Sequence, residues 1–138
     1  MINVTLAQSY LIKARLRLGL LDYLLDAGGY SDVVREAQEI VELALKGMLR
    51  QVGVEPPKWH DVGPLLLEHH SRFSPEVAAE LDTLAAISKW LRREREFAFY
   101  GDVDFIPTEE YSLQDAQRAI TDAQRVVSVA SCIIFIPE

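Results

Sequence analysis

Residues 31–52 read SDVVREAQEIVELALKGMLRQV. On a helical wheel Val34, Gln38, Val41, Leu45, Met48 and Val52 form one stripe, while Ala37, Ile40, Leu43 and Ala44 carry apolar surface round to the far side. A helix with so little polar circumference needs neighbours on more than one flank, so this segment is expected at the centre of a helical bundle. Ser31 supplies a capping hydroxyl at its start, Asp32 sits beside its positive end, and Gly53 with Pro56 and Pro57 ends it.

Outward from this segment the same period recurs. Between Val4 and Ala27, Leu11, Leu18, Leu21 and Leu25 repeat at helical spacing, with Leu6, Ala14 and Leu16 beside them, until Gly28 and Gly29 stop the helix. Residues 54–73 are irregular, with Pro64 opening a short helix through Leu65, Leu66 and Leu67. Ser74 followed by Pro75 is a helix start, and the pattern Val77, Leu81, Leu84, Ser88, Leu91, Arg95, Ala98 then predicts one unbroken helix to about Tyr100. Gly101 ends it, and Asp102 to Tyr111 read as a loop. Ser112 and Asp115 have the spacing of a capping box, opening a last helix towards Ile134. The end segment Ile133 to Ile136 has strand propensity but nothing to pair with, so it is expected as a helix end packing on the bundle or a partner. The expectation is an all-α protein, a single domain over residues 1–138, folded as an up-and-down bundle of four long helices plus a short connecting helix.

A chain of 138 residues is long enough to bury one core, and 49% hydrophobic with 25% charged residues is a globular composition. No apolar run reaches the roughly 18 residues of a membrane span, and the start lacks a basic stretch leading into an apolar one, so a cytoplasmic protein is expected. Cys132 has no partner for a disulfide, and no Cys or His set has the spacing of a closed zinc site. Neither a metal nor a cofactor is expected. The net charge of -7 opposes non-specific nucleic-acid binding, so any such contact has to be local. The basic run Lys89, Arg92, Arg93 and Arg95 can supply it, or is a solvated helix face.

Two stretches carry a family resemblance. Gln38, Glu39, Ile40, Val41, Glu42, Leu43, Ala44, Leu45, Lys46, then Lys58, Trp59, His60, Asp61, Val62, Gly63, Pro64, Leu65, Leu66, resemble a HEPN domain. Arg92 to Asp102, followed by Tyr111, Asp115, Ala116, Ala119 and Ala123, resemble the distal half of that family. The resemblance implies a helical bundle that forms a homodimer. It also implies a partner, the minimal nucleotidyltransferase protein with which such domains form toxin-antitoxin pairs. Many of these domains are metal-independent ribonucleases, in which an arginine is followed after four to six residues by a histidine and the pair faces the dimer mate across a shared cleft. Histidine suits acid or base work on a 2'-hydroxyl, and arginine holds phosphate. Here no arginine has a histidine at that spacing; Arg95 is followed after four residues by Tyr100. A phenol, with a reference pKa near 10, is a poor base at neutral pH.

Arg95 and Tyr100 are thus weak candidates for catalysis. Arg95 falls within an apolar stripe, where it either clamps a phosphate or forms a buried pair with a carboxylate such as Glu42. Gln38, Glu42 and Lys46 lie along one line of their helix, either edging a polar cleft or forming an ordinary helix ion pair beside a glutamine. His60 beside Trp59 is a nucleotide-site candidate or a loop anchor; Asp102 and Asp104 have the gap of a carboxylate pair but read better as turn residues. Cys132 is expected to be packed. The ligand-binding set is Gln38, Glu42, Lys46, His60, Arg92 and Arg95, for RNA or a nucleotide. The alternative is a catalytically silent helical dimer that docks a partner protein; an active ribonuclease is a third reading.

Overall fold

A computed structural model describes residues 5–58 and 61–137. Its four long helices are α1 (Leu6–Asp26), α2 (Tyr30–Gln51), α5 (Leu81–Phe99) and α7 (Leu113–Ile133). The shorter helices α3 (Gly63–Glu68), α4 (Pro75–Ala78) and α6 (Pro107–Glu110) join them, with a 3-10 turn at His70–Arg72. No strand occurs among the described residues; two residues, Asp102 and Phe105, form an isolated bridge.

The apolar circumference of α2 is satisfied as expected. This helix packs against α1, α5 and α7, and Val33, Ala37, Ile40, Ala44, Leu45, Met48 and Leu49 are fully buried. Each large side chain among them contributes about 1.5–3 kcal/mol by leaving water. Close approach also needs Gly47: a Cβ there would lie 3.2 Å from Ile134 Cδ1 and 3.3 Å from the Ala7 carbonyl oxygen. The chain end therefore packs on the bundle, Ile134 buried against α2 just beyond the end of α7, while Phe135 is exposed.

The helix ends follow local chemistry. Thr5 and Gln8 form a capping box on α1, as do Ser112 and Asp115 on α7, and the Ser74 hydroxyl accepts the Val77 N–H on α4. Gly28 closes α1 in the left-handed region at φ 77°, with Gly28 N–H donating to the Leu25 carbonyl and Gly29 N–H to Leu24. Gly53 ends α2 in the same way, with bonds to Arg50 and from Val54 to Leu49.

Four expectations change. The cap of α2 is Gly29 rather than Ser31, because Ser31 is turned into the bundle and buried. The helix expected from Ser74 to Tyr100 is broken after Ala78: the Glu80 N–H bonds to the Val77 carbonyl, a three-residue step, and α5 starts afresh at Leu81. Val77, Leu81 and Leu84 are buried on both sides of the break, so the apolar period survives although the helix does not. The loop after Gly101 contains α6, opened by Pro107. Cys132 is exposed, because it lies on the outer side of α7 between the buried Ala130 and Ile134.

Candidate functional site

The polar edge of α2 is where α1 and α5 lean over the helix without closing on it. Glu39, Glu42, Leu43 and Lys46 form the floor of a cleft of about 300 Å³, with Tyr10 of α1 on one wall, Arg92 and Arg95 of α5 on the other, and Lys58 of the α2–α3 connection at its rim. Glu42 is mostly shielded and collects three partners: the Gln38 amide donates to Oε2 at 3.1 Å, Lys46 Nζ lies 3.2 Å from Oε1, and Arg92 Nη1 lies 3.7 Å from the same oxygen. Glu39, one turn earlier, stands between two guanidinium groups, Arg35 of its own helix and Arg95, whose Nη2 is 3.4 Å away. Arg35 in turn lies over the Phe99 ring at 5.5 Å.

The loop that carries Lys58 is tied to α5 from below. Asp61 Oδ1 accepts the Ser88 hydroxyl at 2.8 Å and the Gly63 N–H at 3.0 Å. That bond explains the polar residue within the α5 stripe: Ser88 is buried and needs a partner.

A second groove of about 270 Å³ shares Arg95 with the cleft and is lined by Arg35, Arg95, Glu96 and Tyr100. Arg95 belongs to both, and it is neither buried nor paired with Glu42: its side chain is 42% exposed and its carboxylate is Glu39. The stripe position puts its stem on α2 while the head reaches the surface, the usual compromise for a long cation. Tyr100 is 77% exposed at the end of α5, with its ring edge against Phe99 at 4.8 Å.

Of the residues expected at a site, the structure brings Glu42, Lys46, Arg92 and Arg95 into one cleft and Tyr100 into the adjoining groove. Gln38 lies beneath, 4% exposed, and supports Glu42 from behind; its own Oε1 has no hydrogen-bond partner among the described residues. Lys89 and Arg93 point outward. His60 lies outside the described residues. Asp102 and Asp104 are exposed, the Asp102 carboxylate accepts the neighbouring Val103 N–H at 2.6 Å, and no group of three metal-ligating side chains occurs among the described residues.

Tyr10, Glu39, Lys58 and Arg35 complete the site without having been singled out for it. Glu39 had a legible signal, lying four residues after Arg35 and three before Glu42. Tyr10 had none and Lys58 only its place in the stretch resembling the family, since only the packing of α1 and of the connecting loop brings them to α2.

Chemically the cleft is a cation-rich surface with an aromatic wall. Four cations against two carboxylates leave its lining at +2, in a chain whose net charge is -7. Its arginines are held in place by ion pairs yet remain partly accessible, which suits recognition of phosphate oxygens. The Tyr10 ring lines the cleft, and the Arg50 guanidinium lies 5.7 Å from its centroid.

The family model described as HEPN domain matches residues 7–133, nearly the whole chain. No curated protein and no solved structure matches it.

Proposed function

The chain belongs to the HEPN domain family, and from that premise we propose that it is the RNA- or nucleotide-binding component of a two-component, toxin-antitoxin type module, with the cleft between α1, α2 and α5 as its site. At family level the role is a nucleotide- or RNA-related one. The observation that carries the reading is the local reversal of charge: the lining of this cleft is positive where the molecule as a whole is strongly negative. Long-range repulsion disfavours non-specific binding along a polyanion, and the cleft selects a short stretch of phosphates that fits it. In this reading Arg92, Arg95, Lys46 and Lys58 hold phosphate, Tyr10 stacks on a base, Glu42 keeps Lys46 and Arg92 aligned, and Glu39 occupies Arg95 until phosphate displaces it.

The site binds rather than cleaves. Tyr100 stands at the position of the family's histidine, beside Arg95, so the imidazole that serves those ribonucleases as acid and base is absent there. The partner in the module is a minimal nucleotidyltransferase protein, and the active assembly is a homodimer, in line with the habit of HEPN domains to dimerise.

Two substitutions of opposite sign test the site. With a labelled single-stranded RNA or ATP followed by fluorescence anisotropy, Arg95→Ala weakens binding by about tenfold and lowers the salt slope by about one. Glu39→Gln removes a competing carboxylate and tightens it several-fold. Equal affinities for wild type and both variants at unchanged helicity would remove the cleft from the function, and RNA cleavage by wild type but not Arg95→Ala would replace binding by catalysis.

A further inference from the structure

Phe97, Val103, Ile106 and Leu113 are 46, 86, 47 and 44% exposed. Single exposed apolar residues are ordinary on a protein surface, but these four surround one aromatic cluster. The Phe97 ring meets Phe105 at 5.3 Å and Phe105 meets Tyr111 at 5.7 Å, both edge to face. Val103 and Ile106 lie either side of Phe105 in a turn closed by the Asp102 N–H on the Phe105 carbonyl at 2.9 Å and the reverse bond at 3.0 Å, and Leu113 follows Tyr111 by two residues. Along α5, Phe97 stands about 200° round from Arg95, so the patch and the cleft lie on opposite sides of that helix.

The charge of the chain is concentrated on the same segment. Residues 94–116 hold seven of its 21 acidic residues and one basic residue, Arg95, a local charge of -6 against -7 for the whole chain. That arginine is turned to Glu39 on the other side of α5. Asp102, Asp104, Glu109 and Glu110 are exposed, and none of them is in an ion pair among the described residues. Glu94 and Asp115 complete the rim: both are close enough to Tyr111 to act on its phenol, although Glu94 also has Arg93 at 3.9 Å. Like charges gathered this closely repel one another, and a cation brought to them relieves the repulsion.

We propose that this patch docks a basic amphipathic segment of a partner protein, whose apolar side covers Phe97, Val103, Ile106 and Leu113 and whose lysines or arginines meet the surrounding carboxylates. Charge selects the occupant. The phosphates of a nucleic acid or of an anionic lipid surface are repelled here. A second copy using the same patch would lay -6 on -6, since a two-fold contact sets a surface against itself. A basic protein segment gains on both counts, by burying the apolar side chains and by neutralising the carboxylates. The inference goes beyond the reading of the cleft and holds whatever the cleft binds.

The test is fluorescence anisotropy of the full chain with a labelled peptide of lysine and leucine, about 18 residues long with its leucines at helical spacing, against a peptide of the same composition in scrambled order. The patterned peptide binds about tenfold tighter than the scrambled one. Val103→Ser combined with Ile106→Ser weakens it about tenfold, and Glu109→Lys combined with Glu110→Lys weakens it as much and flattens its salt dependence. Helicity by circular dichroism and affinity for single-stranded RNA stay at wild-type values in both variants, whose changes fall on exposed side chains. Equal affinity for the two peptides, or for wild type and both variants, overturns the proposal. Two further results would overturn it by naming another occupant: self-association in sedimentation velocity that the Val103→Ser, Ile106→Ser pair abolishes gives the patch to a second copy, and loss of RNA affinity in that variant at unchanged helicity gives it to the nucleic acid.

Discussion

Tyr111 carries a buried hydroxyl with no hydrogen-bond partner among the described residues, inside an aromatic cluster with Phe105 at 5.7 Å and, beyond it, Phe97. Burial, helped by the nearby Glu94 and Asp115 carboxylates, pushes its phenol up to about 12. The unfolded chain releases this proton near pH 10 and the folded chain only near 12, so its effect on stability is absent below pH 10 and grows as a loss between those values. Tyr111→Phe is expected to change stability by less than about 1 kcal/mol at pH 8, because it removes an unsatisfied hydroxyl. It also makes the decline between pH 10 and 12 shallower, which urea midpoints at pH 8 and 11 measure; an unchanged decline contradicts the assignment. At this same scale Arg95 shows how far single positions can be read. Its place in an apolar stripe marked it as unusual from sequence alone, but its carboxylate could not be chosen between neighbours on α2 until the packing of α5 selected Glu39 over Glu42.

The long helices were legible from their apolar periods, and α2 most of all, whose burial on several sides follows from its composition. What escaped were events in backbone hydrogen bonding that leave the period intact. The step between α4 and α5 keeps Val77 and Leu81 on one face, so no pattern of side chains reports it. The α2 cap moved from a serine to Gly29 because burial of Ser31 competed with capping and prevailed. Gly101 illustrates the opposite case, a breaker visible in sequence whose reason is steric. Its φ is 67°, and a Cβ there would lie 2.4 Å from the Phe105 carbonyl oxygen and 2.5 Å from Pro107 Cδ. Gly101→Ala is therefore expected to cost about 1–3 kcal/mol, seen as a lower urea midpoint, by opening the Asp102–Phe105 bridge that turns the chain from α5 into α6. A midpoint equal to wild type would show that the turn relaxes freely.

Across the whole molecule the site depends on the consecutive helices α1 and α2 and on α5, which is far from both in sequence. The Gln38, Glu42, Lys46 line and the Arg92, Arg95 pair were readable as separate features, but the cleft exists only because α1 and α5 flank α2 and the Asp61–Ser88 bond ties down the intervening loop. Its positive lining within an acidic protein is the property on which the functional reading stands. The most direct measurement is an NMR titration of the 15N-labelled chain with a short single-stranded RNA or a nucleotide, following every backbone amide. The account predicts shifts concentrated at Tyr10, at Glu39 to Lys46, at Lys58 and at Arg92 to Arg95, fading as salt is raised. Shifts confined to the outer faces of α1 or α7, or no shift at millimolar ligand, would contradict it.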